Sequence, residues 1–196
     1  LLFAVTKTNS TGKRMDNRAK SIVQTALFVA LCVALGFLLA EVPNVELMTV
    51  SVFLSGVVLG MRRGCLVGVL SILCFSLFNP YGPPLPPLLA AQIAGYALVG
   101  ISGGIMRGRL AGMGRAAALL GALAGLVLTL VYDALTTVAT AIVTLGPAGF
   151  LEGLAGFFAV GALFVIVHAL SNTIVFAVAV VPVLRAVTSW ERGRSG

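Results

Sequence analysis

Positive charge is segregated along this chain. All 13 Lys and Arg residues fall in four clusters, Lys7–Lys20, Arg62–Arg63, Arg107–Arg115 and Arg185–Arg194, and each cluster sits at one end of an apolar run. The turns around Glu41–Glu46, Asn79–Pro87 and Gly146–Gly153 carry none. Because Lys and Arg concentrate in the cytoplasmic loops of membrane proteins, the pattern predicts a chain that starts inside and crosses and returns between clusters. The expected fold is an all-α integral membrane protein: a compact bundle of six transmembrane helices with both the N and C termini cytoplasmic. The net charge of +7 then reports orientation, and no nucleic-acid partner is implied. With 59% hydrophobic and 10% charged residues there is too little polar surface to cover a soluble globule, so the lipid bilayer is the first partner.

The apolar runs are Ser21–Ala40, Val45–Met61, Gly64–Phe78, Leu88–Met106, Ala116–Leu145 and Leu154–Leu184. The second and third reach only about 25 Å as helices, against a hydrocarbon core of about 30 Å. A re-entrant hairpin made of the two would bury Arg62 and Arg63 in lipid at a cost of several kcal/mol, so they are read as thin spans. Residues 1–14 read as a disordered or tag-like extension, 15–190 as the six-helix membrane domain and 191–196 as a cytoplasmic tail. The apolar stretch Leu1–Val5 is too short for a signal-peptide core, and its basic residues follow it instead of preceding it. Gly12-Lys13 lacks the remainder of a phosphate loop. Cys32, Cys65 and Cys74 show no CxxC spacing, so no metal site or disulfide framework is expected.

Glycines recur four apart at Gly56/Gly60, Gly60/Gly64, Gly64/Gly68, Gly100/Gly104 and Gly121/Gly125. Small residues at this spacing let helices approach closely in lipid. Internal packing of the bundle is the expected use, ahead of a dimer face.

A few polar residues lie inside the spans. Asp133 is 18 residues beyond Arg115, His168 is 17 before Arg185 and Gln92 is 15 before Arg107. At helical rise these distances place all three about 22–27 Å above the inner surface. On the fifth span Thr129, Asp133, Thr136, Thr137 and Thr140 share a face; on the sixth His168 and Asn172 do, and on the fourth Gln92 and Tyr96 do. Two readings follow. The polar faces could be structural glue, with Asp133 neutralised by His168 and the Thr hydroxyls bonded back to their own helices. They could instead line a cavity open to the outside, which is favoured because intramembrane ionisable groups are costly and so usually functional. That cavity contains no Lys or Arg, which suits a neutral or cationic small molecule. In it Asp133 accepts from ligand N–H groups, His168 holds the ligand, and Gln92 and Asn172 read amide-like edges. Above it stand the loop Glu41–Glu46, with Asn44 and Glu46, and the proline-stiffened Asn79–Pro87, with Asn79 and Tyr81.

Together with six spans in under 200 residues, Ala26-Leu-Phe-Val-Ala30-Leu-Cys-Val-Ala34, the loop Pro43-Asn-Val-Glu-Leu-Met-Thr49, and His168-x-x-x-Asn172 with Pro182 carry a resemblance. From Arg18 to about Arg185 the chain resembles the S components of energy-coupling factor (ECF) transporters, which take up vitamins and related micronutrients. The resemblance implies a non-enzymatic subunit of the prokaryotic cytoplasmic membrane that captures its substrate from outside with high affinity. It also implies docking through Ala26, Ala30 and Ala34 onto a transmembrane T component driven by two cytoplasmic ATPases. ATP is then used by those partners, and this chain needs no cofactor and no metal. Two other classes compete: an intramembrane hydrolase using His168 and Asp133 as acid and base, and a membrane scaffold with no ligand. The hydrolase lacks the paired glutamates and further His that a metal-bound water would need.

Overall fold

The computed structural model describes residues 2–79, 82–114 and 116–193. Among them every regular element is a helix. Helix α1 is Leu2–Leu38, α2 is Met48–Leu59, α3 is Met61–Leu77 and α4 is Pro86–Gly112. The last helical stretch, Ala116–Gly193, is interrupted at Gly146 (φ 65°, ψ 176°), which divides it into α5, Ala116–Gly146, and α6, whose apolar span is Ala148–Val187. Four of these helices are long and apolar enough to cross a membrane: Asn17–Leu38 within α1, α4, α5 and α6.

Several boundaries differ from the sequence expectation, each for a local reason. Residues 2–14 of the expected extension are helical and continuous with α1, which begins at Leu2. The expected turn Gly146–Gly153 contracts to one non-helical residue. A glycine takes the positive φ, and Pro147 follows, which cannot donate to the turn before it. The stiff cap expected over Asn79–Pro87 is shorter as well. Pro86 and Pro87 open α4, where a missing N–H costs nothing.

The short α2 explains how the bundle is assembled. Every residue of it except Val58 is buried, polar Thr49, Ser51 and Ser55 included, and it touches α1, α3, α4 and the Ala116–Gly193 stretch. A helix apolar all round belongs in the middle of a bundle, and α2 needs only its 12 residues because protein surrounds it. Gly60, with φ 91°, reverses the chain directly into α3. Phe53 of α2 meets Phe176 of α6 with ring centroids 5.1 Å apart, and Val52, Val57, Val67, Val99 and Val180 fill the space around them. Large apolar side chains such as Ile22, Leu27, Leu163 and Val178 remain exposed on the outer helix faces, the surface that lipid covers.

The glycine pairs seen in the sequence lie inside this packing. A Cβ on Gly100 would collide with the Gly64 carbonyl of α3, one on Gly56 with the Gly100 carbonyl, and one on Gly103 with the Phe53 carbonyl. Backbones of α2, α3 and α4 therefore touch directly, which only glycine permits. Gly108, further along α4, has open space around it. We predict that Gly100→Ala lowers stability by about 1–3 kcal/mol or prevents folding, as overpacking does. Gly108→Ala should be neutral or stabilise by up to about 1 kcal/mol through helix propensity. Thermal unfolding of the two variants in detergent checks the contrast; equal behaviour would mean that the backbones do not meet as described.

Candidate functional site

Two helical repeats build the base of the site. On α5, Thr129 and Asp133 are one turn apart; on α6, His168 and Asn172 are one turn apart, and a face repeats at this spacing. The sharp reversal at Gly146 makes α5 and α6 an antiparallel pair, so the two faces meet as two rungs. His168 Nδ1 lies 2.8 Å from Asp133 Oδ1, and Asn172 Nδ2 donates to Thr129 Oγ1 at 3.0 Å. Asn172 and Thr129 are buried, as is His168.

The loop after α1 supplies the third part. Glu46 reaches down so that its Oε1 accepts from Asn172 Nδ2 at 3.2 Å and lies 3.7 Å from His168 Nε2. Its other oxygen accepts from the Thr49 backbone N–H at 2.8 Å, in the first turn of α2, where the helix dipole favours an anion. Burial alone would raise the Glu46 carboxyl, but the neighbouring His168 and the Thr49 donor outweigh it and hold the group below its usual range. Glu46 is therefore a carboxylate at neutral pH. His168 has a carboxyl group facing each ring nitrogen: Nδ1 is within hydrogen-bond distance of Asp133, whereas Nε2 is only within ion-pair distance of Glu46. A second tie holds the same loop, since Ser171 Oγ donates to the Asn44 carbonyl at 2.9 Å and Asn44 adopts φ 57°.

Above this base lies a cavity of about 230 Å³. Aromatic and apolar groups form most of one side: Tyr96 from α4, Tyr132 from α5, Phe75 from α3 and Met48 from α2. Tyr96 and Tyr132 meet edge to face at 5.3 Å, and Tyr132 stands edge-on to the His168 ring at 6.2 Å. Glu46 and His168 supply the polar edge, and the loop from Leu39 to Val45 forms the remaining wall. None of the described lining residues is Lys or Arg.

The residues expected from sequence are thus distributed over distinct places. Glu46, His168, Asn44 and Tyr96 border the cavity. Asp133 and Asn172 lie behind it, against His168 and Glu46; Asp133 Oδ2 and Asn172 Oδ1 are buried with no hydrogen-bond partner among the described residues. Gln92 does not border the cavity; it accepts from Ser76 Oγ at 2.9 Å, between α3 and α4. Thr137 stands apart from this cavity: it lines a separate groove of about 410 Å³ between α5 and α6 with Thr136, Thr140, Gly156 and Phe157, because a face of five residues on a helix turns past the His168 rung. Thr136 and Thr140 bond back to the carbonyls of Tyr132 and Thr136, as the structural reading of that face foresaw. Asn79 is not among the residues that border the cavity; its carbonyl accepts from Gly82 N–H at 3.0 Å. Tyr81 lies outside the described residues.

Sequence reasoning missed Tyr132, Phe75 and Met48. Tyr132 had a signal, being three residues after Thr129 and so near its face; Phe75 and Met48 look like any core residue. Ala26, Ala30 and Ala34 are exposed along a groove of about 550 Å³ that α1 shares with Leu70 and Cys74 of α3.

A cavity walled on one side by a loop, with an acidic group and a histidine at its edge and carried on apolar helices, is the kind of site a membrane-embedded binding subunit would have. Comparison with known families specifies which. Residues 16–189 match the family described as the ECF-type riboflavin transporter, S component, and the chain belongs to it. No curated protein and no solved structure matches the chain. The chain is therefore a substrate-capture subunit of a vitamin transporter and not an enzyme, which sets aside the hydrolase and the scaffold.

Proposed function

We propose that this chain captures riboflavin with high affinity from outside a prokaryotic cytoplasmic membrane, and that a T component with two ATPases then drives its uptake. The observation that carries the reading is the composition of the cavity in a chain of this family: aromatic rings on one wall and a carboxylate beside an imidazole at the edge. Riboflavin combines a planar fused-ring system with one ring N–H and a polyol chain. Tyr96, Tyr132 and Phe75 offer surfaces for the rings, and Glu46 accepts from an N–H or hydroxyl group. Asp133 holds His168, which holds Glu46, so the polar edge acts as one unit. The absence of lining cations favours the uncharged vitamin over its phosphorylated forms. At about 230 Å³ the cavity is smaller than the roughly 300–1,000 Å³ usual for ligand pockets. The segment Leu39–Glu46 supplies much of the wall and is the part that gives way on binding.

Titration of the isolated subunit by quenching of riboflavin fluorescence tests this. Riboflavin should bind, and the phosphorylated form should bind at least about tenfold more weakly. Glu46→Gln and Asp133→Asn should each lower affinity by about tenfold or more, the cost of an unpaired polar group in a water-poor site. No riboflavin binding by the folded wild type, or unchanged affinity in both variants, overturns the reading.

Six crossings with both termini in the cytoplasm follow from the charge segregation, with α2 as a thin, protein-shielded span and α3 as a thin span that keeps one face exposed. A membrane-impermeant thiol reagent added outside should label Asn79→Cys and spare Arg109→Cys in a background without native cysteines. The opposite pattern inverts the topology.

Docking is assigned to the exposed stripe Ala26, Ala30 and Ala34, where the open groove would accept a partner helix at close range. Ala30→Trp should abolish recovery of the T component and ATPases while riboflavin binding by the isolated subunit stays within about twofold. Loss of binding instead would make the stripe part of the internal packing.

A further inference from the structure

Arg62 and Arg63 carry the orientation signal of the inner turn between α2 and α3, yet their roles diverge in the fold. Arg62 is exposed, and Arg63 is half-buried at the start of α3. Arg63 Nε donates to the Leu59 carbonyl at 3.0 Å, at the C-terminal end of α2. One of its terminal nitrogens reaches across to α1, donating to Gln24 Oε1 at 3.0 Å and to Ser21 Oγ at 3.3 Å. A planar guanidinium is suited to this because its donors point in fixed directions, and the carbonyl end of α2 favours a cation. One side chain thereby joins three helices.

The consequence concerns α1, which packs only on α2 and α3 among the described elements. Toward the outer end α1 is held by aromatic packing: Phe37 and Phe75 lie 5.0 Å apart, and Gly36 is set tightly against Phe75 and Met48. Toward the inner end Arg63 ties α3 to Gln24 and Ser21 of α1. Between the two attachments lies the groove formed by the small residues of α1 with Leu70 and Cys74 of α3. Its width is the separation of α1 from α3.

We propose that Arg63 is a positioning residue for assembly: by clamping the inner end of α1 it fixes the groove that receives the partner helix. The proposal rests on the docking reading of Ala26, Ala30 and Ala34. Without the clamp, α1 pivots about its Phe37–Phe75 attachment, and a partner helix must restrain it at the cost of binding energy. Substrate binding lies at the other attachment and is spared.

The test uses the full chain with its T component and ATPases. Arg63→Ala removes both bonds to α1 and should lower complex recovery by about tenfold, with riboflavin affinity of the isolated subunit unchanged within about twofold. Arg63→Lys, which keeps the charge and loses the fork, should fall between Arg63→Ala and wild type. Arg62→Ala removes equal charge and should assemble normally. If Arg63→Ala fails to fold, the paired change Ser21→Ala with Gln24→Ala removes the α1 side of the clamp and leaves the bond to Leu59; it should weaken assembly likewise. Spin labels at Ile22→Cys and Leu66→Cys, with the native cysteines replaced, should show a longer or broader distance once the clamp is lost. Normal assembly or an unchanged distance in the clamp variants, while Ala30→Trp blocks assembly, overturns the clamp and leaves the docking surface standing. If Ala30→Trp assembles as well, the docking reading itself falls.

Discussion

A single, partly buried carboxylate connects the loop over the cavity to the helices beneath it. Glu46 accepts from the first turn of α2 through one oxygen and meets Asn172 and His168 of α6 through the other. It belongs to a loop, so the lid of the cavity and its floor share one group. A carboxylate out of water is tolerated only with several donors around it, and here the donors come from separate helices. The positions of α2, α5 and α6 and the closed loop are therefore mutually conditional. Asp133 extends the arrangement by a further rung through His168.

That polar assembly needs a rigid frame in a medium that gives helices no hydrophobic reason to associate. The frame comes from glycine. Direct backbone contact among α2, α3 and α4 at Gly56, Gly64 and Gly100 brings three helices close enough for dispersion forces to hold them. It also fixes Tyr96 of α4 against Thr49 of α2, whose hydroxyl donates to the tyrosine oxygen at 3.3 Å. The α2–α4 centre has no room to change; on the proposed reading, the loop Leu39–Val45 and α1 are the parts that respond to substrate and partner.

The cavity and the docking groove also share a wall. Gly36 and Phe75 border the cavity, and Ala34 and Cys74, one or two residues away on the same helices, border the groove. On the proposed reading, one surface faces substrate and the other the machinery that uses ATP.

The sequence by itself determined the membrane class, the helical content and the depth at which polar residues gather, because charge segregation and apolar run length follow directly from the bilayer's dielectric and thickness. It also made Asp133, His168 and Asn172 visible, since polar and ionisable side chains are costly inside an apolar run. Spacing along single helices could not say how those faces rotate against each other. Thr137 shares a face with Asp133 by spacing and yet lines a different groove, and Gln92 shares one with Tyr96 and yet pairs with Ser76. Tyr132, Phe75 and Met48 were not legible as cavity walls because apolar and aromatic side chains look alike in a core and at a ligand. Only the tertiary structure decided that Glu46 folds inward from its loop, that α2 is the buried centre and that Arg63 ties α1 to α3. Each of these depends on contacts between residues far apart in the chain, and no local pattern encodes the distance between them.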